Sequence, residues 1–364
     1  MLSFKLNIPL FYLFYFAAAF LLSALINSIF LSFSTNLGIR KSQNVQIRWN
    51  PSAKPALGGI SFFVIFLLSI AFLGITNLII PVKINDAKSL GVLVSITIAF
   101  VMGLADDAFD TKPLLKFSTQ FFCALILILT NNKISCFQSE FLNYFMTVFW
   151  IIGIMNSVNM LDNMDGITSI VAIIILAFVC VLSIYFGNPL SFISISSVAL
   201  LGAVSGFLLY NWNPSKLFMG DAGSQFLGLF LGILAIEYFW NFDFFSTKIP
   251  AFYLDPRINF LAVVLVFTVP LADTLSVVIN RIRNGKSPFI GGKDHSTHSF
   301  FRLGMSEKKI AIVYASICLI SCSLVFFILK SINNSTTTHF YFLFFPIAVF
   351  VIFFYVTYKN VNEK

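Results

Sequence analysis

Long apolar runs alternate with short polar connections along almost the whole chain. About eleven runs approach the roughly 20 residues with which a helix crosses the hydrocarbon core of a bilayer. They cover residues 9–33, 58–80, 89–105, 117–130, 141–155, 166–186, 190–209, 226–240, 259–279, 310–329 and 340–358. We therefore predict an all-α, polytopic membrane helical bundle of about 10–11 transmembrane helices, in which short runs extend into the neighbouring polar motifs. No linker, composition shift or repeat divides residues 1–364, which are predicted to form a single membrane domain.

The composition agrees with this pattern. Hydrophobic residues make up 58% of the chain and charged residues 10%, whereas soluble domains carry about 25% charged residues. Most of the 23 Lys and Arg residues fall in alternate connections, which the positive-inside rule places in the cytoplasm with the N-terminus outside. With a net charge of +8, that face would attract anionic lipid or a phosphorylated substrate, and no basic soluble arm indicates a nucleic-acid partner. The five cysteines show no paired CxxC spacing and predict no disulfide framework.

Three polar patches interrupt the pattern, each at the end of an apolar run. An ionised Asp at such a boundary is costly unless it meets water, a cation or a polar partner. The orientation set by Lys and Arg brings all three patches to the cytoplasmic side, so we predict one active site there. The patches contain Asp106 and Asp107; Asn156, Asn159, Asp162 and Asp165; and Asp221 between Gly220 and Gly223, with Asn211 shortly before it.

Each patch has more than one interpretation. Adjacent Asp106 and Asp107 would point about 100° apart on a helix and could border one pocket, and Lys116 could bind a phosphate or anchor the helix at the inner interface. The residues of the second patch recur at three-residue intervals along one helical face, although Asn156 alone could belong to a polar seam between helices. The glycines beside Asp221 could leave backbone N–H groups free for a phosphate, or Asp221 could cap a tight turn.

Carboxylates and amides favour a hard, oxygen-binding ion such as Mg²⁺, with Mn²⁺ as a substitute. Such a site suits phosphoryl transfer, in which positioning and charge neutralisation supply most of the catalysis. A Walker A loop is absent from the sequence.

The long inner loop between the ninth and tenth runs carries two of the three histidines. His295 and His298 could bind Zn²⁺, could contact a diphosphate together with Lys293 and Arg302, or could belong to a solvated basic loop. Asp273, inside the ninth run, is expected to pack against a polar partner, with a catalytic role as the alternative.

With these motifs in place, the chain resembles the polyprenyl-phosphate N-acetylhexosamine-1-phosphate transferase family, which includes MraY and WecA. The resemblance rests on Pro55-Ala56-Leu57-Gly58-Gly59, the Asp106-Asp107 pair, the Asn-x-x-Asn-x-x-Asp-x-x-Asp-Gly segment at 156–166, Phe-Met-Gly-Asp-x-Gly-Ser at 218–224 and the His-containing loop. It implies an enzyme of the bacterial inner membrane whose active site faces the cytoplasm. That enzyme transfers a sugar 1-phosphate from a UDP-sugar to undecaprenyl phosphate and releases UMP.

The resemblance also implies roles for individual residues. Asp221 would be the principal Mg²⁺ ligand with Asp107 beside it, Asp106 or Asp107 would act as base or orienting carboxylate, and His298 would be catalytic in preference to His295. Substrate binding would involve Lys54, Lys116, Asn156, Asn159, Asp162, Asp165, Asn211, Lys293 and His295. The expected partners are a UDP-N-acetylhexosamine, undecaprenyl phosphate and membrane lipids, with a homodimer as the assembly to test.

Two motifs depart from the family pattern: Asn163 replaces a usual Gly, and the loop reads His-Ser-Thr-His-Ser instead of His-x-His-His. The Ser287-Pro288-Phe289 segment is more similar to the WecA and teichoic-acid branch, which favours UDP-N-acetylglucosamine as donor and a role in initiating a cell-surface glycan. The alternatives are a phospho-N-acetylmuramoyl-pentapeptide transferase of peptidoglycan synthesis and, from another class, an ion-coupled transporter.

Overall fold

The computed structural model describes residues 7–36, 54–76, 86–242, 256–288, 292–331 and 337–362, and these segments are almost entirely helical. The helices are α1 Ile8–Asn36, α2 Gly58–Thr76, α3 Ala87–Phe109, α4 Pro113–Leu129, α5 Glu140–Leu161, α6 Ile167–Tyr185, α7 Phe192–Asn211, α8 Gly220–Ala235, α9 Pro256–Val266, α10 Thr268–Arg283, α11 Ser296–Arg302, α12 Glu307–Ser331 and α13 Phe344–Asn362. A π-helical turn, Ile236–Trp240, continues α8, and a 3₁₀ turn, Thr337–Leu343, precedes α13. Parts of the two long inner loops, residues 37–53 and 289–291, lie outside the described residues, so Phe289 of the branch-specific segment does too.

The predicted membrane bundle is confirmed. Nine helices in the described part are long and apolar enough to span a bilayer, and the pair α9 and α10, bent by 79°, makes ten if the two count as one broken span. The apolar helix α4, with 17 residues, accounts for the remaining predicted run. As expected, short runs extend into the motifs: α3 continues through Asp107, and α5 continues through Asn159. The prediction of a single domain stays a prediction, although the described helices share a large apolar core.

Local sequence explains where several helices begin. The side chains of Asp86, Ser139 and Ser191 accept a hydrogen bond from the backbone N–H three residues later, which caps α3, α5 and α7. Pro113 occupies the first turn of α4, where its missing N–H is not needed.

Helix α8 lies at the centre of the bundle. In the most apolar 18 residues of the span Gly220–Trp240, which α8 begins, 94% of the residues are buried. The corresponding share for the peripheral α1 is 17%. It packs against α2, α3 and α5. Gly103 on α3 permits close approach, because a Cβ there would lie 2.3 Å from the carbonyl oxygen of Asp221. The tight packing fixes the first turn of α8 directly beside the end of α3.

Candidate active site

Asp107 caps the first turn of α8 from a neighbouring helix. Its two carboxylate oxygens accept hydrogen bonds from the backbone N–H groups of Asp221, at 2.8 Å, and Ala222, at 2.9 Å. Gly220 has φ of +74°, and a Cβ there would lie 2.6 Å from Asp107 Oδ2, so the turn needs glycine. The expectation that these amides are free for a phosphate was therefore wrong, because a carboxylate already occupies the positive end of the helix.

Lys116 on α4 connects the carboxylates of the first and third patches. Its Nζ lies 2.7 Å from Asp106 Oδ2 and 3.6 Å from Asp221 Oδ2. Asp106 also accepts hydrogen bonds from the backbone N–H of Thr111, at 3.1 Å, and from the Thr111 hydroxyl. A single ammonium group thus offsets the repulsion between two carboxylates at a helix boundary.

Asn159 joins the second patch to the same centre. Its Nδ2 donates to Asp221 Oδ1 at 2.5 Å and to Ser224 Oγ at 2.8 Å. The polar stripe on α5 therefore faces the first turn of α8, as its three-residue spacing indicates.

A cavity of about 740 Å³ opens at this centre. Its volume lies within the range of pockets that hold drug-sized or cofactor-sized ligands. The residues predicted for the site that line it are Asp106, Lys116, Asn156, Asn159, Asp162, Asp165, Asn211, Asp221 and His295. Four other predicted residues, Lys54, Asp107, Lys293 and His298, do not line it.

Two of the lining residues also hold the surrounding loops. Asp165 accepts hydrogen bonds from the backbone N–H and the hydroxyl of Ser215, both at 2.8 Å, and Lys54 donates to the same hydroxyl at 3.1 Å. Asn211 accepts from the backbone N–H of Gly166 at 3.1 Å. The turn between α5 and α6 is therefore tied to the segment that leads into α8.

An amide cluster beside the cavity was missed in the sequence analysis. Gln120 Nε2 donates to Gln225 Oε1 at 3.0 Å, and Asn156 Nδ2 donates to Gln120 Oε1 at 2.8 Å. The sequence signal was present, because Gln120 and Gln225 each follow a polar site residue, Lys116 and Asp221, by one helical turn inside an apolar run. The cluster favours Asn156 as part of a polar seam that also reaches the cavity.

The loop after α10 is fastened by an ion pair. Arg281 donates from Nε to Asp294 Oδ2 at 2.7 Å and from one terminal nitrogen to Oδ1 at 2.6 Å, a two-point contact of high specificity. Burial alone would raise the pKa of the Asp294 carboxyl, but the Arg281 guanidinium more than offsets burial and holds that pKa below its ordinary value. Arg281 itself lines the cavity and was not singled out from the sequence.

The two histidines of this loop occupy different environments. His295 lines the cavity, and its Nδ1 lies 2.9 Å from Asp273 Oδ2, so Asp273 has the polar partner that we expected. His298 is 1% exposed, and burial followed by repulsion from His295 lowers its pKa to about 4, which keeps it neutral near pH 7. The catalytic role of His298 stays a prediction; the geometry favours His295 for contact with a ligand.

The donor groups fit a hard cation bound mainly through substrate oxygens. Within the described residues no three His, Cys, Asp or Glu side chains are arranged to hold a metal ion. Mg²⁺ commonly uses one or two protein carboxylates together with substrate phosphates and water. Asp221, with Asp106 nearby across Lys116, supplies that kind of donor set, whereas both oxygens of Asp107 already accept backbone hydrogen bonds.

Comparison with known proteins agrees with this site. Residues 89–239, which include all three acidic patches, match the model of glycosyl transferase family 4. The chain is 28% identical over 269 residues to a "Probable undecaprenyl-phosphate N-acetylglucosaminyl 1-phosphate transferase" of Bacillus subtilis (strain 168), covering 71% of this chain and 69% of the relative. It is 25% identical over 284 residues, with the same coverage, to a "Decaprenyl-phosphate N-acetylglucosaminephosphotransferase" of Mycobacterium leprae (strain TN). A "Phospho-N-acetylmuramoyl-pentapeptide-transferase" of Staphylococcus aureus (strain MSSA476) is 27% identical over 307 residues, covering 77% of this chain and 87% of the relative.

The fold and these matches define a multi-pass membrane enzyme of the sugar-phosphate transferase class. The predicted likeness to the polyprenyl-phosphate N-acetylhexosamine-1-phosphate transferase family is confirmed, and residues 89–239 are similar to glycosyl transferase family 4.

Proposed function

We propose that this protein transfers N-acetylglucosamine 1-phosphate from UDP-N-acetylglucosamine to undecaprenyl phosphate and releases UMP. The observation that carries the proposal is the convergence of Asp106, Lys116, Asn159 and Asp221 on one cavity at the ends of four helices. Both the B. subtilis and the M. leprae relatives are named for transfer of an N-acetylglucosamine phosphate to a polyprenyl phosphate, which supports this donor and acceptor.

The reaction moves one phosphoryl group between two oxygens. An oxygen of the lipid phosphate attacks the β-phosphorus of the donor, the bond from that phosphorus to the bridging oxygen breaks, and UMP leaves with that oxygen. Negative charge gathers on the transferred group, so a fixed cation close to it accelerates the step. Lys116 is the protein cation at this position, and Asp106 orients it through their 2.7 Å contact.

Mg²⁺, or Mn²⁺ in its place, would be held by Asp221 and would neutralise diphosphate charge when bound. The resemblance implies Asp107 as a second ligand, which would have to bind the ion with oxygens that also accept the backbone hydrogen bonds of α8. Asn159 keeps the Asp221 carboxylate oriented through its 2.5 Å hydrogen bond. Capping of α8 by Asp107 fixes the backbone that carries Asp221.

The nucleotide-sugar would occupy the side of the cavity formed by Asn156, Asn159, Asp162, Asp165 and Asn211, with His295 on the facing side. We place Lys54 and Lys293 at the approach to this side, where they attract the anionic donor without lining the cavity. We further propose that the site faces the cytoplasm from the bacterial inner membrane, since the positive residues favour that orientation. A homodimer is the assembly to test.

A second candidate is transfer of phospho-N-acetylmuramoyl-pentapeptide. The S. aureus relative with that name is matched over 87% of its length, which is the observation that favours it. An ion-coupled transporter fits less well, because the acidic residues here cluster at helix ends instead of at the bilayer midplane.

Purified protein with undecaprenyl phosphate and a panel of UDP-sugars tests the proposal. We expect UMP release and a labelled lipid product with UDP-N-acetylglucosamine or a close epimer, and none with UDP-N-acetylmuramoyl-pentapeptide. The reverse pattern would move the protein to the peptidoglycan reaction, and no product with any donor would refute the proposed function.

A further inference from the structure

A buried carboxylate lies directly behind one lining residue of the cavity. Asp273 on α10 is 0% exposed, and its Oδ2 lies 2.9 Å from Nδ1 of His295. Asp273 does not itself line the cavity, whereas His295 does. The carboxylate can therefore reach a substrate only through the imidazole.

The other oxygen of Asp273 is already fixed. Its Oδ1 accepts the backbone N–H of Ser296 at 2.9 Å and also the Ser296 hydroxyl. The Ser296 hydroxyl in turn lies 2.5 Å from the hydroxyl of Tyr314 on α12. A backbone N–H can only donate, so an oxygen atom must face Ser296, and Oδ2 is left to accept the proton on His295 Nδ1.

This arrangement determines which ring nitrogen of a neutral His295 carries the proton. With Nδ1 donating to Asp273, the ring is held in one orientation, and Nε2 is the nitrogen left for a ligand. We propose that Asp273 is a positioning residue that fixes the tautomer and orientation of His295, so that the bare Nε2 accepts a hydrogen bond from a hydroxyl or N–H group of the donor nucleotide-sugar during transfer. The inference rests on the proposed function and adds to it a residue that acts through another.

The competing explanation is that the Asp273 network only anchors the start of α11. Both explanations predict some loss of stability when Asp273 is changed. They differ in whether the loss of activity depends on the presence of His295.

Asp273→Asn separates the two roles because an amide has one oxygen. That oxygen must face the Ser296 N–H, which turns the amide nitrogen toward His295 Nδ1 and forces the opposite neutral tautomer. We expect kcat for UMP release to fall about 10- to 100-fold, the usual effect of losing an orienting partner. The KM for UDP-N-acetylglucosamine should change by less than about three-fold, since the loss occurs in the transition state.

The decisive comparison uses His295→Gln with and without Asp273→Asn. If Asp273 acts through His295, Asp273→Asn causes no further loss of kcat in the His295→Gln background. Tyr314→Phe is the matched control: it removes the far end of the same network, leaves the Asp273 contact in place and should keep kcat within about two-fold. An equal fall of kcat on Asp273→Asn in both backgrounds would refute the positioning role, whereas an inactive wild-type protein would instead refute the proposed function.

Spectroscopy tests the inference without any change at Asp273. The chain has three histidines, so ¹⁵N-histidine labelling gives a small set of ring signals, and comparison with His295→Gln assigns the relevant one. We expect a protonated Nδ1 at His295 in the wild-type protein near pH 7.5. A neutral ring with a bare Nδ1 and a protonated Nε2 would overturn the inference even if Asp273→Asn failed to fold.

Discussion

Asp107 can act as a metal ligand, as a cap of α8, or as both, and the substitution Asp107→Asn distinguishes these roles. The carboxylate accepts two backbone hydrogen bonds, at 2.8 and 2.9 Å, at the positive end of the helix that carries Asp221. Hydrogen bonds to a charged group contribute about 1.5–3 kcal/mol each. An amide has one acceptor oxygen, so at least one bond and the charge are lost, and we expect a destabilisation of about 2–4 kcal/mol.

The assay combines thermal unfolding in detergent with a Mg²⁺ titration of UMP release. If Asp107 acts mainly as the cap of α8, the Asp107→Asn variant has a lower melting temperature, and its kcat falls because Asp221 shifts. The Mg²⁺ concentration that gives half-maximal activity then changes little. Asp86→Asn is the matched control: Asp86 caps the far end of α3, and Asn caps as well as Asp, so stability should be unchanged. An unchanged melting temperature for Asp107→Asn with a much higher Mg²⁺ requirement would refute the cap as its main role.

Three further predictions follow from the site. Asp221→Asn should abolish turnover while the protein stays folded, and excess EDTA should silence the wild type; substantial UMP release in either case would contradict the metal assignment. The Thr297 hydroxyl donates a hydrogen bond to Asn163 Oδ1 at 2.5 Å, so Asn163→Gly and Thr297→Val should each raise the KM for the donor. The double variant should raise this KM little more than the stronger single variant does, and full additivity would show that the pair is not coupled. The lowered pKa of His298 means that the unfolded chain takes up a proton first, so stability should fall as the pH drops from about 6.5 toward 4, and a His298→Gln variant with the same pH slope would refute this.

Much of the fold followed from the sequence because its signals are local. The length of each apolar run and the acidic residues at the run ends are properties of continuous segments, so they predicted the bundle and the convergence of Asp106, Asn159 and Asp221. The three-residue spacing correctly indicated that Asn156 and Asn159 share a face of α5 toward the cavity. It did not predict that α5 ends at Leu161, so Asp162 and Asp165 reach the cavity from the turn that follows. Such inferences need no knowledge of which helix packs on which.

The contacts that give each site residue its role depended on the tertiary structure. Capping of α8 by Asp107 joins residues more than one hundred positions apart, and it removed the amides that the local sequence offered to a phosphate. The sequence favoured His298 over His295, but packing of α11 buried His298 and left His295 on the cavity, backed by Asp273. The sequence alone determines which residues can hold charge at the membrane boundary. Helix packing decides which partner neutralises each charge, because hydrogen bonds and ion pairs act over a few ångströms of space and not along the chain.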